Sequence, residues 1–183
     1  KGDDTLTGAT SDDDQFVFEA TASANGTDVL SNFEAGSAAD ADVLDFSAML
    51  AGGALMSNPA TPKGTDDSDE LDATGKVVLF SLGTDDSGIA GTEEDDDLAS
   101  AFDDASEVLA LFGSSKPLSI DDDGKALVLI GADDASSPSL NTAVWLVDAG
   151  LTGTSALQEG DIKLVGNINN LEIGTLIADN FSF

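Results

Sequence analysis

Gly2-Asp3-Asp4-Thr5-Leu6-Thr7-Gly8, followed by Ser11-Asp12-Asp13-Asp14-Gln15-Phe16-Val17-Phe18, decides how this chain folds. The pattern returns at Gly26-Thr27-Asp28-Val29-Leu30-Ser31-Asn32-Phe33 and at Ala41-Asp42-Val43-Leu44-Asp45-Phe46-Ser47. Each stretch places one or two acids just before a short apolar strand. That spacing of turn and strand is typical of stacked β structure.

Working outward, residues 51–75 are rich in Gly, Ala, Ser, Pro and Asp, with Pro59 close to Pro62, and read as a loop. Lys76–Leu82 then reads as a strongly apolar strand. From Thr92 the period changes. Thr92-Glu93-Glu94-Asp95 resembles a capping box, and Leu98, Phe102, Ala105, Leu109 and Phe112 recur at helical spacing up to Gly113. A core-covering helix over about 95–112 follows, with Asp103, Asp104 and Glu107 on its solvated face. Further strands are expected at 117–120, 126–131, 143–148, 162–165 and 171–173. Those at 125–130 and 142–147 are apolar on both faces in places, as in the middle of a sheet. Asp121-Asp122-Asp123-Gly124 reads as a β-hairpin turn, and Trp145 as a core residue.

Composition narrows the chemistry. The formal net charge is −30, from 36 acids against 6 lysines, with no arginine, histidine or cysteine. Nothing in that set neutralises phosphates, so nucleic acid is excluded as a partner. Without histidine and cysteine, a Ser-His-Asp triad, a cysteine nucleophile and a zinc-thiolate site disappear. No enzyme activity is expected: acidic pairs are too abundant to mark a glycosidase, and one Trp, nine Phe and no Tyr are few aromatics for a sugar cleft. What remains are oxygen ligands, which suit hard cations and calcium above all. With 41% hydrophobic residues the chain is not a disordered acidic tail. No apolar stretch reaches the roughly 18–20 residues of a membrane-spanning helix. No signal peptide is visible, and the opening Lys1-Gly2-Asp3-Asp4 reads as mid-motif, as in a piece of a longer protein.

The opening heptad resembles the end of a glycine-rich nonapeptide calcium repeat, the RTX β-roll. In that motif glycines allow the tight turn and expose carbonyls, while aspartates supply charge. The resemblance implies Asp4 as a calcium ligand, carbonyls from Gly2 and Gly8, and Leu6 pointing into the roll. The next turn departs from the pattern, with Ser11 where a glycine is usual and one residue too many before Phe16. Counted back from Phe16, Asp14 aligns; counted forward from Gly8, Asp13 does. Asp12, Asp13, Asp14, Asp28 and Asp42 complete the candidate calcium ligands. The stretches around Asp28 and Asp42 resemble the segment that caps an RTX roll.

Residues 76–183 are similar to the terminal domain of large bacterial surface proteins exported by type I secretion. That similarity rests on Ala143-Val144-Trp145-Leu146-Val147-Asp148, Asp161-Ile162-Lys163-Leu164-Val165-Gly166 and the last eight residues. The expected fold is mainly β: a short calcium-binding β-roll or cap over 1–50, the loop 51–75, and a sandwich-like β-sheet domain over 76–183 carrying one amphipathic helix. The function implied is a non-catalytic, calcium-dependent, secreted structural module at the bacterial cell surface. It would serve in export and folding, or as a subunit of a surface layer (S-layer), filament or extracellular matrix, with self-association or other surface subunits as partners. Alternatives are a calcium-dependent adhesin module binding glycan and the detached tail of an RTX secreted enzyme. A third reading takes the acidity as adaptation to high salt, which sodium chloride alone would satisfy.

Overall fold

The computed structural model describes residues 2–55, 71–82, 104–112, 118–132, 141–153 and 156–183. The Thr92–Asp95 capping box, Pro59, Pro62, Leu98, Phe102, Asp103, Gly113 and most of the turn expected after 131 lie outside them. The described residues are mainly β. The strands are β1 (Thr5–Thr7), β2 (Gln15–Val17), β3 (Asp28–Ser31), β4 (Val43–Asp45), β5 (Ala54–Leu55), β6 (Leu71–Asp72), β7 (Lys76–Leu82), β8 (Leu118–Ser119), β9 (Lys125–Ala132), β10 (Asn141–Asp148), β11 (Ile162–Asn169) and β12 (Phe181–Ser182). Two short helices, α1 (Ala22–Asn25) and α2 (Ala105–Leu109), interrupt them.

A seven-stranded sheet in the order β1-β3-β11-β10-β9-β7-β5 runs through the molecule. Its middle follows from the apolar runs. Because successive side chains of a strand point to opposite faces, a continuous apolar run needs cover on both sides. Val77, Leu79, Leu127, Leu129, Val144 and Leu146 enter one core cluster, while Val78, Phe80, Val128, Ile130, Trp145 and Val147 enter the other. The first cluster is covered by a three-stranded sheet, β12-β4-β2. The second is covered by α2 and by β8, which pairs with β6.

Strands β1 to β4 alternate between the two larger sheets, so the chain winds as a coil. β1 runs parallel to β3 with Leu6 beside Leu30, and β2 parallel to β4 with Phe16 beside Leu44. A third coil is supplied from the other end of the sequence. Ile168 of β11 pairs with Leu30, and Phe181 of β12 with Leu44, both in parallel. Two columns of inward side chains result: Leu6, Leu30 and Ile168 in one sheet, Phe16, Leu44 and Phe181 in the other. Phe18 and Phe46 pack in the same core with ring centroids 4.6 Å apart and ring planes tilted by 42°.

One irregularity makes the third coil fit. The β10–β11 register slips between Val144 and Trp145: Trp145 opposes Leu164, and Val144 opposes Gly166. Val165 is therefore an extra residue, a bulge that reverses which face the following side chains meet. Ile162 and Leu164 pack in the α2 cluster, whereas Val165 and Ile168 pack in the coil cluster. Gly166 passes under Phe18, whose ring would lie 3.2 Å from a Cβ at that position.

Several expectations change. The segment 51–75 was expected as loop, but β5 and β6 form its described ends, because each finds a parallel neighbour in β7 or β8. Residues 1–50 and 76–183, delimited as roll and β domain, share one sheet through the β3–β11 pairing. Leu171 and Ile173 are buried but not in a strand; Ile173 begins a 3-10 turn, Ile173–Thr175. Asp121–Gly124 does turn, with Gly124 N–H donating to Asp121 O at 2.8 Å, but it links β8 to β9 in different sheets rather than closing a hairpin. Asp104 caps α2 by accepting Ser106 N–H at 2.8 Å, and so is not merely solvated charge. Trp145 is in the core, 3% exposed.

Candidate functional site

The candidate calcium ligands fall on two rows of turns, where one coil passes to the next. In the first row Asp4 N–H donates to Asp28 Oδ1 at 3.0 Å, across a step of 24 residues. Thr27 N–H donates to Asp3 Oδ1 at 2.9 Å. The turns come close because Gly26, at φ 86°, has no Cβ to strike the Gly2 carbonyl. Asn25, 2% exposed, anchors this row to the sheet: its Nδ2 donates to Val165 O at 2.7 Å and its Oδ1 accepts Glu19 N–H at 3.2 Å.

The second row repeats the device with a step of 28 residues. Asp14 N–H donates to Asp42 Oδ1 at 2.9 Å, and Glu34 N–H donates to Asp42 Oδ2 at 2.8 Å. Asp14 holds its own turn, accepting Ala9 N–H on Oδ2 at 2.6 Å. Ser11 N–H donates to Glu34 Oε2 at 2.9 Å. Ser11 takes φ 65°, the left-handed conformation a glycine would supply, so it fills the glycine position at some cost in backbone strain. Gly8 is required by contact: a Cβ there would lie 2.9 Å from Asn32 O and 3.1 Å from Asp14 Oδ2. In the third coil the clamp is the amide of Asn180, fully buried. Its Oδ1 accepts Gly36 N–H at 3.0 Å and Ile177 N–H at 3.1 Å, and its Nδ2 donates to Asp42 O at 3.0 Å.

The candidate set therefore divides. Gly2, Asp4 and Asp28 lie in the first row, and Gly8, Asp12, Asp13, Asp14 and Asp42 in the second. Asp42 is fully buried with both oxygens accepting backbone N–H groups, so it fits a backbone clamp and presents no open face to a hydrated cation. Asp28 is 7% exposed and clamps through one oxygen. Asp14, and not Asp13, is in register with Asp42, so counting back from Phe16 gives the structural alignment. Asp12 and Asp13 are exposed. Of the other candidate acids Asp4 is exposed as well, and Asp14 is half-buried with its Oδ2 already accepting Ala9 N–H. Among the described residues no three or more acids gather at metal-holding spacing.

Sequence reasoning missed the amide clamps Asn25 and Asn180 and the buried Asp161. The last closes a loop by accepting Thr152 N–H at 2.7 Å and Gln158 N–H at 2.9 Å. For two of them the signal was a polar residue directly ahead of a strand: Asp161 before Ile162, Asn180 before Phe181. No described helix is long and apolar enough to cross a membrane. No family model, curated protein or solved structure matches this chain.

Proposed function

We propose that this chain is a non-catalytic structural module of an extracellular bacterial surface protein, and that calcium stabilises its stacked coils. The observation that carries the reading is the recurrence of a clamping aspartate in successive turns, Asp4 N–H to Asp28 and Asp14 N–H to Asp42. A coil that keeps ionised carboxylates at its turns, in a chain of net charge −30, is opposed by its own repulsion. A divalent cation on the exposed acids relieves that repulsion without competing for the clamps. Oxygen-only side chains favour calcium among such cations.

The reading keeps the resemblance to RTX proteins and their type I export route. The coil steps, 24 and 28 residues, are longer than two nonapeptides, so the reading takes residues 1–50 as an irregular capping segment and not as regular repeats. Folding coupled to calcium suits export, since the chain stays extended where the ion is scarce and folds where it is plentiful. Partners would be other surface subunits or further copies.

Calorimetric titration with calcium at fixed ionic strength tests this. The proposal expects saturable binding that Asp12→Asn/Asp13→Asn weakens several-fold without destabilising the chelated protein. Absence of binding at millimolar calcium would reject it.

A further inference from the structure

Among the described residues, both sheets stop at an open edge at one end of the coil stack. β1 is the last strand of the seven-stranded sheet and β2 the last of the three-stranded sheet. At the other end the large sheet continues, because β10 pairs with β11. The inward column shows the asymmetry: Leu30 and Ile168 are fully buried, whereas Leu6 in the same column is 36% exposed. All three residues of β1 are exposed. An edge with unpaired backbone groups and an uncovered aliphatic residue is a template for another strand.

The polar clamps say what kind of strand fits. Asp42 uses Oδ2 for its own turn, on Glu34 N–H, and Oδ1 for the N–H of the coil before it. Asp14 likewise uses Oδ2 for its own turn, on Ala9 N–H. Its Oδ1 is the equivalent acceptor for a coil stacked beyond β1 and β2. The stack also accepts coils that are remote in sequence, since Asn180 of the third coil clamps Asp42 across 138 residues.

We infer that the β1–β2 end is an interaction surface for one further parallel coil, a polypeptide segment that lays an aliphatic side chain over Leu6 and donates a backbone N–H to Asp14 Oδ1. The observations disfavour a second copy of the same end. Two-fold pairing would run β1 antiparallel to itself, so the clamp spacing could not repeat, and it would set Asp3, Asp4, Asp12 and Asp13 against their own copies. The inference holds with or without calcium on the turn.

The chain has no cysteine, so Leu6→Cys introduces a single thiol whose labelling rate reads the cover over that position. A second protein carries the same substitution and a copy of residues 2–25 placed directly before Gly2, which matches the step of 24 residues between Asp4 and Asp28. A third is identical except for Asp in place of Leu at the copy's inward position. Labelling is measured in calcium and in chelator, with particle mass followed by light scattering. The expected result is labelling slowed at least tenfold in the second protein and restored in the third. Equal labelling of the first and second proteins in both conditions would overturn the inference. So would a dimeric first protein with its thiol already protected, which would make a second copy the occupant.

Discussion

The middle of the long sheet and the coil stack at its end are held together by different means. In β7, β9 and β10 apolar side chains alternate between two covered faces, and Val77, Val78, Leu127, Leu129, Val144 and Val147 are each fully buried. Strand register there follows from which side chains reach which core. In the first two coils, β1 to β4, each strand is three or four residues long and sends only one or two large side chains inward. So little apolar area per strand cannot fix a parallel register, and the turns do it with Asp28, Asp42, Asn25 and Asn180. Hydrophobic alternation suffices where strands are long; side-chain clamps to the backbone take over where they are short.

The largest effect that would probe this contrast is in the middle. Phe80 is 1% exposed, and Phe80→Ala is expected to cost about 3–5 kcal/mol, read as a shift of the whole urea transition. In the stack, Asp42→Ala leaves the N–H groups of Asp14 and Glu34 without their acceptor. It is expected to cost about 2–3 kcal/mol, with faster hydrogen exchange at those two amides and little change in β9. Asp42→Asn should recover only part of that, since an amide offers one acceptor oxygen where the carboxylate offers two. If Asp42→Ala instead opened β7, β9 and β10 as readily as the coils, the distinction between the two regions would fail.

How far the sequence disclosed this follows the same division. Lys76–Leu82 reads directly off its apolar run, and the strands at 126–131 and 143–148 come within a few residues of β9 and β10. Long-range apolar alternation is a property of the sequence itself. The short turn–strand units around Leu6, Phe16, Leu30 and Leu44 were also legible, as was their stacking. Hidden from sequence was the third coil, because nothing local in Ile168 or Phe181 says that it lies beside Leu30 or Leu44. The slip at Val165 that aims Ile168 inward is likewise a tertiary feature. Aspartates could be seen to sit at turns, but whether a carboxylate there binds an ion or a backbone N–H depends on the neighbouring coil. Asp42 therefore read as a ligand and is placed as a clamp.

The smallest effect is expected at the exposed end of β6. Asp72 accepts Thr74 N–H at 2.9 Å and meets Lys76 Nζ at 3.2 Å, and these contacts, the Thr74 backbone first, hold its pKa below the usual 3.8. A depressed carboxylate pKa stabilises the fold above the unfolded value and loses that contribution as pH falls through the folded one. Since Asp72 is largely exposed, the acid unfolding curve of Asp72→Asn should differ from the parent only slightly, and only near and below pH 4. A large displacement would mean that charge at exposed positions matters as much as the buried clamps.

The claim that calcium stabilises the stacked coils is tested most directly by the melting midpoint in chelator and in millimolar calcium, with ionic strength matched by sodium chloride. Calcium at about a hundredfold above its dissociation constant for one site adds roughly 2.7 kcal/mol, or a rise of about 5–10 °C for a chain of this size. A midpoint that rises with calcium and not with equivalent sodium is the predicted result. One that is unchanged by chelator, or restored by sodium chloride alone, would contradict it.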